Sequence, residues 1–291
     1  MSFIFLIIGF VFLIKGADLF VEGASSIAKK FNVPAMVIGL TVVAMGTSAP
    51  EAAVSITSSL AGQNDMSVAN VVGSNFFNIL VVLGVSSIIA TLPVEKNTIK
   101  KDTPFLLIVS GLLLLFGINL RISRVEGLIF LGLFIYFLIN TVKNAKNNAL
   151  DGEEEAAITA EVENVVEFSV PKTILLSVIG IVGIILGGDM VVDSATKIAT
   201  TLGMSANLVG LTIVAVGTSL PEFVTSIVAI RKGETEIAIG NVIGSNVFNI
   251  LLVLGLATSI KPITISMFAL FDIVFMVLVT ILLYLFMKKN N

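Results

Sequence analysis

The sequence predicts an all-α polytopic membrane protein built from two inverted-topology repeats of about five transmembrane helices each, with discontinuous helices at a central ion site. Three observations carry this. Of 291 residues, 56% are hydrophobic and only 13% charged, with a mean hydropathy of +1.06; a soluble domain of this length could not hide so much apolar surface. The apolar runs are long and uniform, which fits helices and not the alternating strands of a barrel. The first half of the chain also returns in the second. Residues 39–51, GLTVVAMGTSAPE, reappear at 210–222 as GLTIVAVGTSLPE, and residues 70–84, NVVGSNFFNILVVLG, reappear at 241–255 as NVIGSNVFNILLVLG. Every pair is 171 residues apart, as are Asp18 and Asp189, so the halves descend from a duplication without insertions over that stretch.

Nine hydrophobic spans are predicted, at residues 3–21, 34–60, 68–91, 103–119, 125–142, 173–193, 206–230, 237–260 and 263–287. The start of the first lacks the basic flank and small-residue cleavage site of a signal peptide, so it reads as part of a span. The chain divides into a first repeat at 1–142, an acidic linker at 143–171 and a second repeat at 172–291. Five spans in the first repeat insert the second upside down, the layout of secondary transporters. The counterpart of the fifth span would begin at about residue 296, past the last residue, so either the second repeat is one span short or the sequence is an incomplete piece of a ten-span protein. With the N-terminus outside, Lys and Arg concentrate on the inner face at Lys29, Lys30, Lys96, Lys100, Lys101, Lys143, Lys146, Lys172, Arg231, Lys232, Lys288 and Lys289. That bias puts the linker in the cytoplasm of a multi-pass cell-membrane protein. Its run of Asp151, Glu153, Glu154, Glu155, Glu161, Glu163 and Glu167 reads as a solvated connection.

The chain contains neither Cys nor His. Thiolate and imidazole metal sites and His-based triads are therefore excluded, no nucleophile–base pair is visible, and no enzyme is expected. Any metal must be held by oxygen, which suits hard cations. No cofactor and no nucleic-acid partner is implied.

The chemistry is concentrated in the repeated motifs. A carboxylate within a hydrocarbon-length segment is expensive and marks an ion or substrate pathway; Glu51 and Glu222 are two, symmetrically placed. Pro50 and Pro221, with Gly46 and Gly217, are expected to break each helix and free backbone carbonyls, tolerable at mid-membrane only around a polar cavity. Ser74 and Asn78 lie one turn apart on a helix face, as do Ser245 and Asn249. With Thr47, Ser48, Thr218 and Ser219 these residues form an all-oxygen set. Two carboxylates offset one divalent cation, two monovalent cations or two protons, and an empty site at −2 resists reorientation, which is the basis of obligatory exchange. Gly180, Gly183, Gly187 and Gly188, and the hydroxyls of Thr41 and Thr212, read instead as helix-packing positions. Asp18 and Asp189 read as caps or rim charges, Lys15 as a partner of Asp18.

The paired GTSAPE/GTSLPE and GSNFFN/GSNVFN segments resemble the two alpha-repeats of the calcium/cation antiporter superfamily, most closely its prokaryotic sodium/calcium exchangers, over nearly the whole chain. The resemblance implies a ten-helix inverted-repeat fold with four ion sites in a diamond at the membrane centre, in which the first and sixth helices slide as a unit. It implies that Glu51 and Glu222, with the carbonyls of Thr47 and Thr218, hold Ca²⁺, and that Ser48, Ser74, Ser219 and Ser245, with the carbonyls of Ala44 and Ala215, hold Na⁺. Asn249 stands where some relatives carry Asp, which resembles the potassium-independent branch. The expected activity is Na⁺/Ca²⁺ antiport by alternating access, performed by a monomer in the lipid bilayer. A Ca²⁺/H⁺ antiporter is the alternative, and a passive cation channel a further one.

Overall fold

The computed structural model describes residues 1–31, 33–62, 64–148, 168–205, 213 and 215–289. Helix α1 (Ser2–Phe31) is a single 30-residue helix whose last turn carries Lys29 and Lys30, matching the negative end of its dipole. Pro34 stops it, and α2 (Ala35–Thr47) and α3 (Ala49–Leu60) follow as a pair bent by 49°. Helix α4 joins Asn64–Phe76, a π-helical segment Phe77–Leu83 and Gly84–Ile89. Helix α5 is Thr103–Gly117, led by a π-helical turn Thr98–Asp102. After strand β1 (Arg121–Ile122) come α6 (Arg124–Asn148), α7 (Val170–Thr201), the short α8 (Ala215–Gly217) and α9 (Leu220–Arg231). Helix α10 joins Thr235–Phe248, a π-helical segment Asn249–Leu254 and Gly255–Ile260; β2 (Ile263–Thr264) and α11 (Met267–Lys289) complete the described chain.

Among the described residues six helices are long and apolar enough to cross a membrane, and the bent α2–α3 pair makes a seventh. The predicted fourth span falls short of that length, because the turn before it carries Lys100, Lys101 and Asp102. The start of the seventh, at 206–212, lies outside the described residues, as does the linker from 149 to 167. Helices α1 and α7 run past the predicted span ends at 21 and 193. Asp18, Glu22, Asp189 and Asp193 interrupt the apolar pattern without breaking the helix, since none is a conformational breaker.

The inversion is visible in how α1 meets its own counterpart, α7. A Cβ on Gly9 would touch Gly187 and Val191, one on Gly16 would touch Ile184 and Gly180, and one on Gly180 would reach Phe20. Positions rise along α1 as they fall along α7, so the two copies of one element lie antiparallel. The close approach requires glycine: an added Cβ on Gly180 would sit 2.6 Å from the Phe20 nitrogen, with similar crowding at Gly183 and Gly187. An added Cβ on Gly188 would meet Pro221 only at ordinary contact distance, 3.8 Å, so this glycine packs without the same close approach. A second tight seam joins α2 to α10 through Gly39, Gly240 and Gly244, and α10 is the most buried of the spanning helices, with 94% of its apolar window inside.

Element ends meet in the pattern that alternating spans require. β1 pairs antiparallel with β2, and Arg124 donates to the Ile260 carbonyl at 3.2 Å, joining the α5–α6 and α10–α11 connections on one face. On the other, Ser26 meets Thr173 at 3.0 Å, and Lys232 pairs with Asp18 at 2.7 Å and Glu22 at 2.8 Å. Lys15 lies 3.8 Å from Asp18. Gly62 and Gly233, repeat counterparts, end α3 and α9 at φ of +80° and +84°, a conformation that favours glycine. One departure from symmetry stands out. Helix α6 packs against Gly255 of α10 through Leu131, whereas a Cβ on the counterpart Gly84 would meet nothing within 4 Å. That face of α4 instead lines an apolar groove of about 910 Å³ with Leu283 and Met287 of α11.

Candidate ion-binding site

Both helix breaks fall at serine. Ser48 has φ −83°, ψ 9° and Ser219 φ −92°, ψ 5°, the sparsely populated bridge region where many active-site residues sit. The helices break as the sequence leads one to expect, but the break lies at the serine and not at Pro50 or Pro221. Each proline lies in the first turn of a new helix, α3 or α9, where its missing N–H has no partner to lose. The consequence is chemical: Glu51 and Glu222 fall in that same first turn, at the positive end of the helix dipole.

The two repeats then exchange hydrogen bonds in matched pairs. The Ser48 hydroxyl donates to Glu222 Oε1 at 2.7 Å, and the Ser219 hydroxyl lies 3.2 Å from Glu51 Oε1. Ser74 stands 3.5 Å from the same Glu51 oxygen and 3.1 Å from Ser219. Thr47 donates to Asn241 Oδ1 at 3.1 Å, and Thr218 lies 3.5 Å from Asn70 Oδ1. Ser245 also faces Asn241 Oδ1, at 3.5 Å. The site residues expected from sequence are thus brought together across the repeat interface. All but Thr218 of Thr47, Ser48, Glu51, Ser74, Asn78, Thr218, Ser219, Glu222, Ser245 and Asn249 are buried. The Ala44 carbonyl accepts the Ser48 N–H at 3.0 Å, so the break leaves it a backbone partner. Ala215 opens the short turn before the second break.

Six supporting residues were not singled out as site residues from sequence. Asn70 donates to the Glu51 carbonyl and to Ser55, and Asn241 repeats this with the Glu222 carbonyl and Ser226. Asn75 and Asn246 donate to each other's backbone carbonyl, at 3.3 and 3.4 Å. The signal was present: all three pairs recur 171 residues apart. The π-helical segments in α2, α4 and α10 left no such mark; π geometry inside α-helices often accompanies functional sites.

The hydrogen-bond inventory leaves a symmetric remainder. Glu51 Oε2, Glu222 Oε2, Asn78 Oδ1 and Asn249 Oδ1 are buried without a partner. Leaving such an oxygen unpaired costs about 1–3 kcal/mol, more for a charged one. No ion pair among the described residues reaches either glutamate. Four orphaned oxygens, two of them on carboxylates and ringed by hydroxyls, are chemically suited to a hard cation.

Inverted helical repeats around such a cluster of buried oxygens define a membrane transport protein for cations. The model of the family "Sodium/calcium exchanger protein" matches residues 1–143 and 172–290, and the chain belongs to that family of membrane transporters, which are not enzymes. It is 42% identical over 259 residues to the putative antiporter CaxA of Alkalimonas amylolytica, covering 89% of this chain and 81% of that protein. It is 33% identical over 302 residues to the sodium/calcium exchanger MaX1 of Methanosarcina acetivorans, covering 93% and 86%. Its fold matches the solved structure of the sodium-calcium exchanger NCX_Mj with a TM-score of 0.85 at 34% identity, over 99% of this chain and 90% of that one.

Proposed function

We propose that this protein exchanges Na⁺ for Ca²⁺ across the membrane by alternating access, using Glu51 and Glu222 in turn for either ion. The observation that carries the reading is the crossed pair of Ser48 on Glu222 and Ser219 on Glu51, with the second oxygen of each carboxylate left over. Two carboxylates neutralise one Ca²⁺ or two Na⁺, and the surrounding serine, threonine and asparagine oxygens supply the further ligands that a hard cation needs. A proton needs one oxygen and no cage, so this many converging oxygens favours Na⁺ over H⁺ as the exchanged ion. On this reading residues 1–142 and 172–291 are the two repeats, the N-terminus is outside and the stretch 143–171 is cytoplasmic. The first repeat's residues hold one half of each ion shell and the second repeat's the other, and α1 and α7, packed together along their glycines, slide as a unit past this cluster to open it to alternate sides.

Two measurements test it. Na⁺ should displace Ca²⁺ from purified protein in equilibrium binding, as overlapping sites require. Ca²⁺ trapped inside proteoliposomes should accelerate ⁴⁵Ca²⁺ entry. Independent binding of the two ions refutes a shared site, and entry without trans-stimulation would make the protein a channel.

A further inference from the structure

We propose that Asn75 and Asn246 are positioning residues that fix the amide orientation of Asn249 and Asn78, so that each of the latter presents its carbonyl oxygen to the cation. The proposal rests on the reading of the pocket as a cation site and deepens it.

The two ends of a carboxamide are nearly equal in shape and opposite in polarity. Turned one way, Asn78 or Asn249 offers a cation a lone pair; turned the other way, it offers two N–H bonds and repels it. Nothing in the residue itself chooses. The structure makes the choice through a crossed quartet. The amide nitrogen of Asn78 donates to Asn246 Oδ1 at 3.0 Å, and that of Asn249 donates to Asn75 Oδ1 at 3.1 Å. The acceptors are themselves anchored. Asn75 gives its amide N–H to the Asn246 backbone carbonyl at 3.3 Å, with Met276 Sδ at 3.6 Å. Asn246 gives its own to the Asn75 carbonyl at 3.4 Å. A backbone carbonyl can only accept, so the polarity of the whole quartet is set by two groups that cannot flip.

Burial removes the competition from water that would blur this choice. All four asparagines are at most 1% exposed. With both amide nitrogens committed, the oxygens Asn78 Oδ1 and Asn249 Oδ1 are left without partners. Ser74, one turn before Asn78, approaches the Glu51 carboxylate, so that face of α4 is the one turned to the pocket. Asn75 and Asn246 therefore act through their neighbours and need not touch the ion.

A carboxylate has two equivalent oxygens and carries no orientation to be fixed, which supplies the test. Ca²⁺ affinity is measured by equilibrium titration on purified protein for wild type, Asn75→Ala, Asn249→Asp and the double variant, with the melting temperature of each. Asn75→Ala should weaken Ca²⁺ binding by about tenfold or more in the wild-type background, as expected for misdirecting a buried ligand. In the Asn249→Asp background the same change should cost less than about twofold, because the coupling it disrupts is gone. The melting temperatures serve to show that each variant is folded. A merely structural role predicts equal losses of affinity in the two backgrounds, and that result overturns the assignment. The repeat supplies a second arm, Asn246→Ala with and without Asn78→Asp, which carries the test should Asn75→Ala not fold. Wild-type protein that binds neither Ca²⁺ nor Na⁺ refutes the pocket itself, and the positioning role with it.

Discussion

The hydroxyl of Ser48, at the break in the first repeat, donates to Oε1 of Glu222, at the break in the second, at 2.7 Å. Its counterpart joins Ser219 to Glu51. Neither carboxylate is therefore held by its own repeat alone. A shift of either helix break relative to the other therefore changes the surroundings of both acids together.

The crossing predicts what loss of either acid does. Glu51→Gln and Glu222→Gln each remove half the charge that offsets a divalent ion, and Ca²⁺ flux should fall by about a hundredfold or more. The variants should stay folded, because an amide can still accept from the facing serine. Near-normal flux in a folded variant, measured with ⁴⁵Ca²⁺, would contradict the site.

The glycine seam predicts a contrast. Gly180→Ala places a Cβ against the α1 backbone at Phe20 and Gly16, and forcing the helices apart should cost about 1–3 kcal/mol. Gly84→Ala meets open space and should be neutral or stabilising by up to about 1 kcal/mol through helix propensity. Melting in detergent separates them; equal effects would contradict the packing.

Asp102, at the turn before α5, predicts a pH dependence. Burial, reinforced by Glu95 and opposed by Lys101, lifts its carboxyl from the ordinary 3.8 to about 7. The folded protein then holds a proton that the unfolded chain releases, so its stability is full below about pH 4, declines as pH rises towards 7, and levels off beyond. Asp102→Asn should flatten this slope and raise stability at pH 8 by about 1–3 kcal/mol. Identical melting profiles between pH 5 and 8 in variant and wild type would contradict it.

Lys232 predicts a salt dependence. Burial works against its charge, but hydrogen bonds to Asp18 and Glu22 outweigh it and hold the ammonium above the ordinary lysine range. The lysine therefore keeps its charge throughout the physiological pH range and ties α1 to the turn after α9. Because all three side chains are partly exposed, Lys232→Gln should cost no more than about 1 kcal/mol. That cost should fade at about 1 M salt; a loss that ignores salt would mean the lysine acts through packing.

The symmetry was legible from sequence because duplicated motifs keep their spacing. The constant offset singles out both glutamates, both Gly-Thr-Ser-x-Pro segments and the Ser74–Asn78 and Ser245–Asn249 faces. The ends of α1 and α7 were not legible, since Asp18, Glu22, Asp189 and Asp193 look like span boundaries to a hydropathy reading while a helix passes through them. Nor were the partners of each acid. That Ser48 serves Glu222, and not its near neighbour Glu51, follows from the inverted packing of one repeat on the other, which no local pattern encodes. Asn75 and Asn246 carry the mark of the repeat in the sequence, but what they bond lies between the repeats and has no local pattern.

The central claim is that the crossed glutamates carry Ca²⁺ one way and Na⁺ the other. It is tested most directly by ⁴⁵Ca²⁺ uptake into proteoliposomes loaded with Na⁺, compared with vesicles loaded with acid and no Na⁺. Uptake driven by the outward Na⁺ gradient, and lost in Glu222→Gln, is the predicted result. Uptake driven only by the proton gradient, or unchanged in Glu222→Gln, would contradict the account.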